Sequence, residues 1–280
     1  MPLKTPTRFT LGKLLAEKAG RIALDYFHAP DLRTDSKGPG DVVTEADFAV
    51  EHMLRAAILE AFPDDAIIGE ELGGKAATDG YTWLVDPIDG TVNFARRLSY
   101  FCVSLALLKD NRPIAAWVFD PVTDELFWAD TEHGARLGDT PIACARNDTM
   151  VDAVIGLGFS GRHEPKLYRE YIAALSLHDV EFRRLGAGAL CLAHVAAGRL
   201  DAYVEPHMNP WDAVGGLFIA AMAGAVTKDY LGANGLEHGA PVFAASPATA
   251  ERLLAILPAM ESGTPQHRQN DMRSAGKAAT

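Results

Sequence analysis

The sequence is poor in cysteine, and its three cysteines, Cys102, Cys144 and Cys191, lie far apart. An odd number at such spacings favours reduced, mostly buried thiols in a cytoplasmic protein over a disulfide framework or a zinc site. A long apolar run is also lacking, because the stretch from Gly215 to Val226 is too short and too rich in Gly and Ala to span a membrane. The N-terminus has no apolar segment behind its basic residues, so no signal peptide is expected.

Positive charge is scarce as well. There are 26 Lys and Arg residues against 37 Asp and Glu, and the net charge of −11 argues against nucleic acid as a partner. An acidic protein repels a phosphate group unless divalent metal ions lie between them, in which case the acids serve as the metal ligands. The 280 residues, 48% of them hydrophobic and 22% charged, otherwise predict an ordinary globular protein with a substantial core.

Hydrophobic periodicity predicts two halves of different character. In the first half, helical patterns at about 10–28 and 44–61 are separated by a polar loop at 31–40. Short strands are predicted at about 66–68 and 83–85, and three strand-like runs at 101–109, 113–120 and 125–130 then predict an antiparallel meander. From about 151 to 257, strands alternate with helices, which is typical of a layered α/β arrangement.

This change of character predicts the domain organisation. The first half, residues 1–145, is expected to be α+β, and the second, residues 146–260, to be α/β. The tail at 261–280 is polar with little apolar content, and we expect it to be disordered. The fold class is therefore mixed α+β and α/β.

One stretch combines a buried strand with acids at its end. The apolar run at 83–85 is followed by Asp86 and Asp89, and then by Gly90 and Thr91, which open a helix or a tight turn. Carboxylates bind hard cations, and backbone N–H groups at a helix start bind anions. The alternative interpretation is a strand followed by an Asx turn and a helix cap.

Further acids lie near the junctions of predicted elements: Asp41 and Asp47, Glu70 and Glu71, and Asp212. Taken alone, Asp47 fits a helix-start acid that pairs with Thr44 in a capping box, and Glu70 and Glu71 fit solvated loop charges. Together with the acids at 86 and 89, these residues supply enough oxygen ligands for two or three Mg²⁺ ions.

These motifs resemble the inositol monophosphatase family of Mg²⁺-dependent, lithium-sensitive phosphatases. The resemblance rests on Asp41-Val-Val-Thr-Glu-Ala-Asp47, Gly69-Glu-Glu71, Trp83-Leu-Val-Asp-Pro-Ile-Asp-Gly-Thr91 with Asn93-Phe94, and Trp211-Asp212. The motifs occur in the family's order and at similar spacings. The resemblance implies a five-layered α-β-α-β-α sandwich and a homodimer.

Matched residue by residue, the resemblance also implies the metal ligands. Glu70, Asp86 and the carbonyl of Ile88 would hold the first Mg²⁺. Asp86 would bridge to a second ion, which Asp89 and Asp212 would also bind.

The resemblance implies catalytic and substrate-binding residues too. Asp47 would reach a third ion through water, and Glu70 with Thr91 would position and deprotonate the attacking water. The backbone N–H groups of Gly90 and Thr91 would bind the phosphate. The remaining substrate contacts would come from Gly186, Ala187, Glu205 and Asp212.

The predicted function is hydrolysis of a small polyol phosphate, such as myo-inositol 1-phosphate, by attack of metal-activated water. Glu205 falls where family members acting on inositol bind a sugar hydroxyl, but an acid there also suits an ammonium group, so a histidinol-phosphate phosphatase is an alternative. A nucleotide 3′-phosphatase is a weaker one, since no basic cluster could hold a second phosphate. A non-catalytic metal- or phosphate-binding homologue would not need Glu70 and Thr91.

Overall fold

The structure is a computed structural model that describes residues 6–38, 41–147, 150, 152–159 and 165–258. The helices are α1 (Arg8–His28), α2 (Glu45–Ala61), α3 (Thr91–Ala95), α4 (Lys166–Leu177), α5 (Gly188–Ala196), α6 (Pro210–Met222), α7 (Gly235–His238) and α8 (Pro247–Ile256). The strands are β1 (Thr34–Gly38), β2 (Asp41–Thr44), β3 (Ala66–Gly69), β4 (Tyr81–Asp89), β5 (Cys102–Lys109), β6 (Arg112–Asp120), β7 (Glu125–Asp130), β8 (Gly134–Leu137), β9 (Thr140–Pro141), β10 (Val154–Leu157), β11 (Glu181–Arg183), β12 (Ala202–Met208), β13 (Val226–Thr227) and β14 (Ala240–Ala245).

Two large sheets carry the fold. In the described part of the chain, a 7-stranded sheet has the order β3-β4-β5-β6-β7-β8-β9, and a 5-stranded sheet has the order β11-β10-β12-β14-β13. In the first sheet β3 runs parallel to β4, and the following strands pair antiparallel. The predicted antiparallel meander is thus confirmed.

The elements stack in five layers. One hydrophobic cluster joins α1 and α2 to the outer face of the first sheet, around Leu54 and Trp83. A second joins that sheet to α5, α6 and the second sheet, around Ala106 and Leu192. A third, which includes Tyr171, joins the second sheet to α4 and α8. The predicted α-β-α-β-α sandwich is confirmed.

The middle layer explains the small residues of the second half. Helices α5 and α6 are covered by a sheet on either side, and they pack against each other so closely that a Cβ on Gly216 would lie 2.6 Å from the Cβ of Leu192. Small apolar side chains let two helices fit between two sheets at native packing density. Both helices come from the second half of the sequence, yet they also cover the first sheet.

The loop expected at 31–40 is wrong at 34–38, which form β1 and pair antiparallel with β2, whereas residues 39 and 40 lie outside the described residues. Most of β1 is exposed, so the strand needs no apolar face, and its polar sequence therefore has no hydrophobic period that would predict a strand.

The domain boundary expected between residues 145 and 146 falls between β9 and β10, and the division into two domains stays a prediction. The tail at 261–280 lies outside the described residues. Within those residues, no helix is both long and apolar enough to cross a membrane.

Candidate active site

The end of β4 contains a bulge. Asp86 pairs with Ser104 of β5, whereas Asp89 pairs with Cys102, so three steps along β4 match two steps along its neighbour. Side chains alternate between the faces of a regular strand, and one extra residue therefore turns both acids towards the same side of the sheet. That side faces the middle helix layer.

Three carboxylates from different elements converge beside this bulge. One oxygen each from Glu70, Asp86 and Asp212 lie within 4.8 Å of one another. Glu70 follows β3, the parallel neighbour of β4, and its N–H donates to the carbonyl of Val85 at 3.2 Å. Asp212 lies in the first turn of α6. The structure thus brings together three of the predicted site residues.

This convergence is electrostatically unfavourable without a cation. Burial, followed by the charges of Glu70 and Asp212, raises the pKa of Asp86 well above its usual range. Within the described residues, the buried Oδ2 of Asp86 has no hydrogen-bond partner. A divalent cation would satisfy this oxygen and offset the repulsion, and an all-oxygen donor set is the one that Mg²⁺ prefers. The residues therefore fit Mg²⁺.

Asp89 lies beside this group but hydrogen-bonds elsewhere. Its carboxylate accepts the backbone N–H groups of Gly188 at 3.1 Å, Ala189 at 2.8 Å and Leu190 at 3.3 Å, which open α5. Burial and the charge of Asp212 raise the pKa of Asp89 to about 7, although these hydrogen bonds lower it. Sequence reasoning missed the contact with α5, and the assignment of Asp89 as a metal ligand stays a prediction.

Thr91 and Asp47 meet on the other side of the turn. The Thr91 hydroxyl donates to the carbonyl of Ile88 at 3.0 Å, and its oxygen lies 3.4 Å from Oδ1 of Asp47. Oδ2 of Asp47 accepts the N–H and the hydroxyl of Thr44, at 2.8 Å and 2.6 Å, so the predicted capping box is confirmed. Burial raises the pKa of Asp47 to about 6 against the effect of these hydrogen bonds.

The turn at Gly90 packs against a loop from the second half of the chain. Gly90 has a φ of 96°, in the left-handed region that favours glycine, and a Cβ there would lie 3.1 Å from the Cβ of Ala187. Asn93 holds the two segments together, since its Nδ2 donates to the carbonyls of Leu185 at 2.7 Å and Tyr100 at 2.8 Å. The structure thus brings the predicted residues Gly186 and Ala187 beside Gly90. Sequence reasoning gave Asn93 no role, although it lies within the quoted motif.

Glu205 of β12 is buried next to the acidic group. Its Oε2 accepts the Tyr203 hydroxyl at 2.6 Å. Burial raises the pKa of Glu205 to about 8; the Tyr203 hydrogen bond lowers it, and the charges of Asp212 and Asp89 raise it.

The neighbouring acids Glu70 and Glu71 have different surroundings. Glu70 joins the three-carboxylate group, whereas Oε1 of Glu71 lies 2.6 Å from Nζ of Lys37 in β1. Lys37 is also 3.6 Å from Glu70, so the hairpin brings a cation to the rim of the group.

Comparison with known proteins identifies the family. A sequence model described as the Inositol monophosphatase family matches residues 6–262. The chain is 34% identical over 246 residues to Nus factor SuhB of Escherichia coli (strain K12), covering 86% of this chain and 92% of the relative. It is 36% identical over 216 residues to Inositol-1-monophosphatase of Rhizobium meliloti (strain 1021), covering 76% of this chain and 81% of the relative.

Solved structures agree. The extragenic suppressor protein suhB from Bartonella henselae superposes with a TM-score of 0.81 at 29% identity, over 88% of this chain and 96% of that one. The inositol monophosphatase from Anabaena (Nostoc) sp. PCC 7120 superposes with a TM-score of 0.75 at 30% identity, over 90% of this chain and 96% of that one. The chain therefore belongs to the inositol monophosphatase family and is a phosphatase-type hydrolase.

Proposed function

We propose that this protein is a Mg²⁺-dependent phosphomonoesterase that hydrolyses a small polyol phosphate such as myo-inositol 1-phosphate. The observation that carries the proposal is the convergence of Glu70, Asp86 and Asp212 around an Asp86 oxygen that lacks a donor among the described residues. The name of the Rhizobium meliloti relative, an inositol-1-monophosphatase, supports the substrate class.

The proposed metal ligands are oxygen atoms from the end of β4, the turn after β3 and the first turn of α6. Glu70, Asp86 and the Ile88 carbonyl would hold one ion, and Asp86, Asp89 and Asp212 a second. Asp47 would reach a third through water. When bound, Mg²⁺ would lower the pKa of the attacking water and stabilise the negative charge on the leaving oxygen.

The protein groups would orient the water and the ester. Because the Thr91 hydroxyl donates a hydrogen bond to the Ile88 carbonyl, its oxygen remains able to accept a hydrogen bond from the attacking water. The Glu70 carboxylate would take the proton from that water. The N–H groups of Gly90 and Thr91 would bind the phosphate, so that positioning supplies much of the rate enhancement.

The alcohol part of the substrate would lie against the second half of the chain. Glu205 and the segment with Gly186 and Ala187 are the proposed contacts for polyol hydroxyls, with Asp212 between them and the phosphate. An ammonium-bearing ester such as histidinol phosphate is the alternative substrate, since a carboxylate at 205 suits either group. We further propose that the protein is a cytoplasmic homodimer and that lithium inhibits it, because the resemblance to the family implies these features.

A second candidate comes from the names of the relatives. The Escherichia coli relative is named a Nus factor, and that name mentions no hydrolase activity. A non-catalytic homologue that binds metal would require the metal ligands but would not need Glu70 and Thr91 as a pair that orients water. The hydrogen bonds that fix Thr91 between Ile88 and Asp47 favour the catalytic function.

The experiment is phosphate release from a panel of esters, each with Mg²⁺ and with EDTA. The panel contains myo-inositol 1-phosphate, glycerol 2-phosphate, histidinol phosphate, fructose 1,6-bisphosphate and adenosine 3′,5′-bisphosphate. We expect Mg²⁺-dependent release concentrated on the inositol ester, and its loss in Asp86→Asn. Release only from histidinol phosphate would mean that the substrate is this ammonium-bearing ester and not a polyol phosphate. No release from a folded protein that binds Mg²⁺ would favour the non-catalytic candidate.

A further inference from the structure

Glu51 is a buried carboxylate that the proposed mechanism does not use. It lies on α2 and is fully buried, on a side of the helix that is otherwise apolar at Val50 and Leu54. A charged group in such a place is costly unless several donors surround it. The hydrogen-bond donors around Glu51 therefore indicate which part of the protein its carboxylate stabilises.

These donors belong to the turn that carries Glu70. The backbone N–H of Glu71 donates to Oε2 of Glu51 at 2.8 Å, and the N–H of Leu72 donates to Oε1 at 3.2 Å. Arg55, one helical turn later, donates its Nε to Oε1 at 2.7 Å and a second nitrogen to the carbonyl of Gly73. Glu51 and Arg55 thus bind three consecutive residues of one turn.

The turn is closed at its base and tied to β4. Gly69 and Gly73 exchange backbone hydrogen bonds of 3.0 Å and 3.1 Å, which leaves residues 70–72 at the tip. The N–H of Glu70 donates to the carbonyl of Val85, next to Asp86. The backbone of this turn therefore determines where the Glu70 carboxylate lies.

Gly69 shows how closely Glu51 approaches the turn. A Cβ on Gly69 would lie 2.1 Å from Oε1 of Glu51. The φ of Gly69 is outside the left-handed region, so glycine is required there for space and not for backbone conformation. The carboxylate of Glu51 occupies the volume that a side chain at 69 would need.

We propose that Glu51, supported by Arg55, is a positioning residue that holds the 69–73 turn so that Glu70 faces Asp86 and Asp212. Glu51 itself contacts neither metal nor substrate. Its role resembles that of the outer groups that orient metal ligands, whose loss costs about 10- to 100-fold in metal affinity or activity. The inference rests on the proposed Mg²⁺ site, and on the proposed hydrolase function only for its kinetic consequence.

The test compares Glu51→Gln with Glu60→Gln, an exposed acid on the same helix. The glutamine keeps the shape but replaces one acceptor oxygen by an NH₂ group, which cannot accept both backbone N–H groups and Arg55. In metal-free Glu51→Gln, we expect the amides of Glu71 and Leu72 to exchange with solvent about tenfold faster. We also expect Mg²⁺ to bind about tenfold more weakly in calorimetry, with kcat reduced and KM for the ester within about twofold. Glu60→Gln should match the wild type.

Gly69→Ala provides a second route to the same contact, because its methyl group displaces the Glu51 carboxylate. The two substitutions should weaken Mg²⁺ binding non-additively in the double variant, since both break one interaction. If Glu51→Gln fails to fold, the Mg²⁺ affinity of Gly69→Ala and Arg55→Lys is measured instead, and weaker binding in these two variants supports the proposal.

Unchanged Mg²⁺ affinity in a folded Glu51→Gln or Gly69→Ala would overturn the positioning role, including when stability falls. Weakened Mg²⁺ binding in variants of a protein that shows no phosphatase activity would instead leave the positioning role standing and remove the proposed function.

Discussion

The carboxylate of Asp89 accepts a 2.8 Å hydrogen bond from the backbone N–H of Ala189, which lies 100 residues further along the chain. The residue before α5, Ala187, has no side-chain acceptor, so Asp89 satisfies N–H groups that a local cap normally satisfies. The negative charge of Asp212 also raises the pKa of this carboxylate. Asp89, at the end of a strand in the first sheet, therefore contacts the middle helix layer and interacts electrostatically with the candidate metal site.

Asp89→Asn should lose both activity and stability. The asparagine offers one acceptor to three N–H groups and turns its NH₂ towards at least one of them, which costs about 1–3 kcal/mol. We expect a lower melting temperature in EDTA and nearly abolished phosphate release with Mg²⁺. Full activity in this variant would remove Asp89 from the metal ligands.

Asp212→Asn is the matched control for that prediction. Like Asp89→Asn, it removes a proposed ligand and relieves like-charge repulsion among these acids, but it leaves the hydrogen bonds from the start of α5 to Asp89 in place. Activity should fall as in Asp89→Asn, whereas the melting temperature in EDTA should be unchanged or higher. If both variants melt alike, the cap on α5 contributes little to stability.

Local patterns predicted much of this site. The capping box of Thr44 and Asp47 needs only residues three apart, and the strand that ends in Asp86 and Asp89 is visible as an apolar run followed by acids. Its bulge was not predicted, because the shift depends on the register with β5. The five layers came from the resemblance and not from periodicity, since periodicity does not say which sheet a helix covers.

Contacts distant in sequence could not be predicted. Nothing near Ala187 indicates that its helix is capped from β4. Glu51 and Arg55 lie at the i,i+4 spacing of an ordinary exposed ion pair, and only the packed turn at 69–73 buries the acid. The hairpin of β1 was missed because a strand that is exposed on both faces has no hydrophobic period.

Asp65→Asn should reduce stability without affecting catalysis. The Asp65 carboxylate accepts Nε and Nη2 of Arg8, each at 2.8 Å, and the indole N–H of Trp83 at 2.9 Å. Losing the paired hydrogen bonds to Arg8 should lower the free energy of unfolding by about 2 kcal/mol. Asp64→Asn changes an exposed neighbour and should have no effect. Urea unfolding followed by tryptophan fluorescence measures the difference, and a change in Mg²⁺ dependence would contradict the prediction.

His194 should make the metal-free protein lose stability as the pH falls. Burial and the charge of Arg199 lower its pKa to about 4 from 6.5, despite the opposing effect of Glu125. Between these values the unfolded chain binds the proton and the folded one does not, so this contribution is complete above about pH 6.5 and is lost towards pH 4. Its size is on the order of 2 kcal/mol.

The measurement for His194 is unfolding in EDTA at pH 7 and pH 4.5, compared between the wild type and His194→Gln. Carboxylates with raised pKa values act in the opposite direction, but they are present in both proteins and cancel in the comparison. The wild type should lose more stability than the variant on acidification. Substitution of the exposed His178 by Gln should leave the wild-type dependence, and an equal loss in His194→Gln would contradict the assignment.

Tyr203→Phe should change substrate binding more than turnover. The Tyr203 hydroxyl donates to Glu205 at 2.6 Å and opposes the burial that raises the pKa of Glu205 to about 8. Without this donor, Glu205 is more often neutral and less firmly oriented, so an ammonium-bearing ester should lose more affinity than a neutral polyol ester. Because Glu205 is proposed to contact the alcohol and not the reacting atoms, KM should rise up to about tenfold while kcat stays within about twofold.

Tyr171→Phe is the control for this prediction, because the buried Tyr171 hydroxyl has no hydrogen-bond partner within the described residues. Its loss should leave KM unchanged and stability equal or higher. An unchanged KM in Tyr203→Phe for both kinds of ester would mean that Glu205 does not bind the alcohol, and the substrate would then have to be recognised by the segment with Gly186 and Ala187.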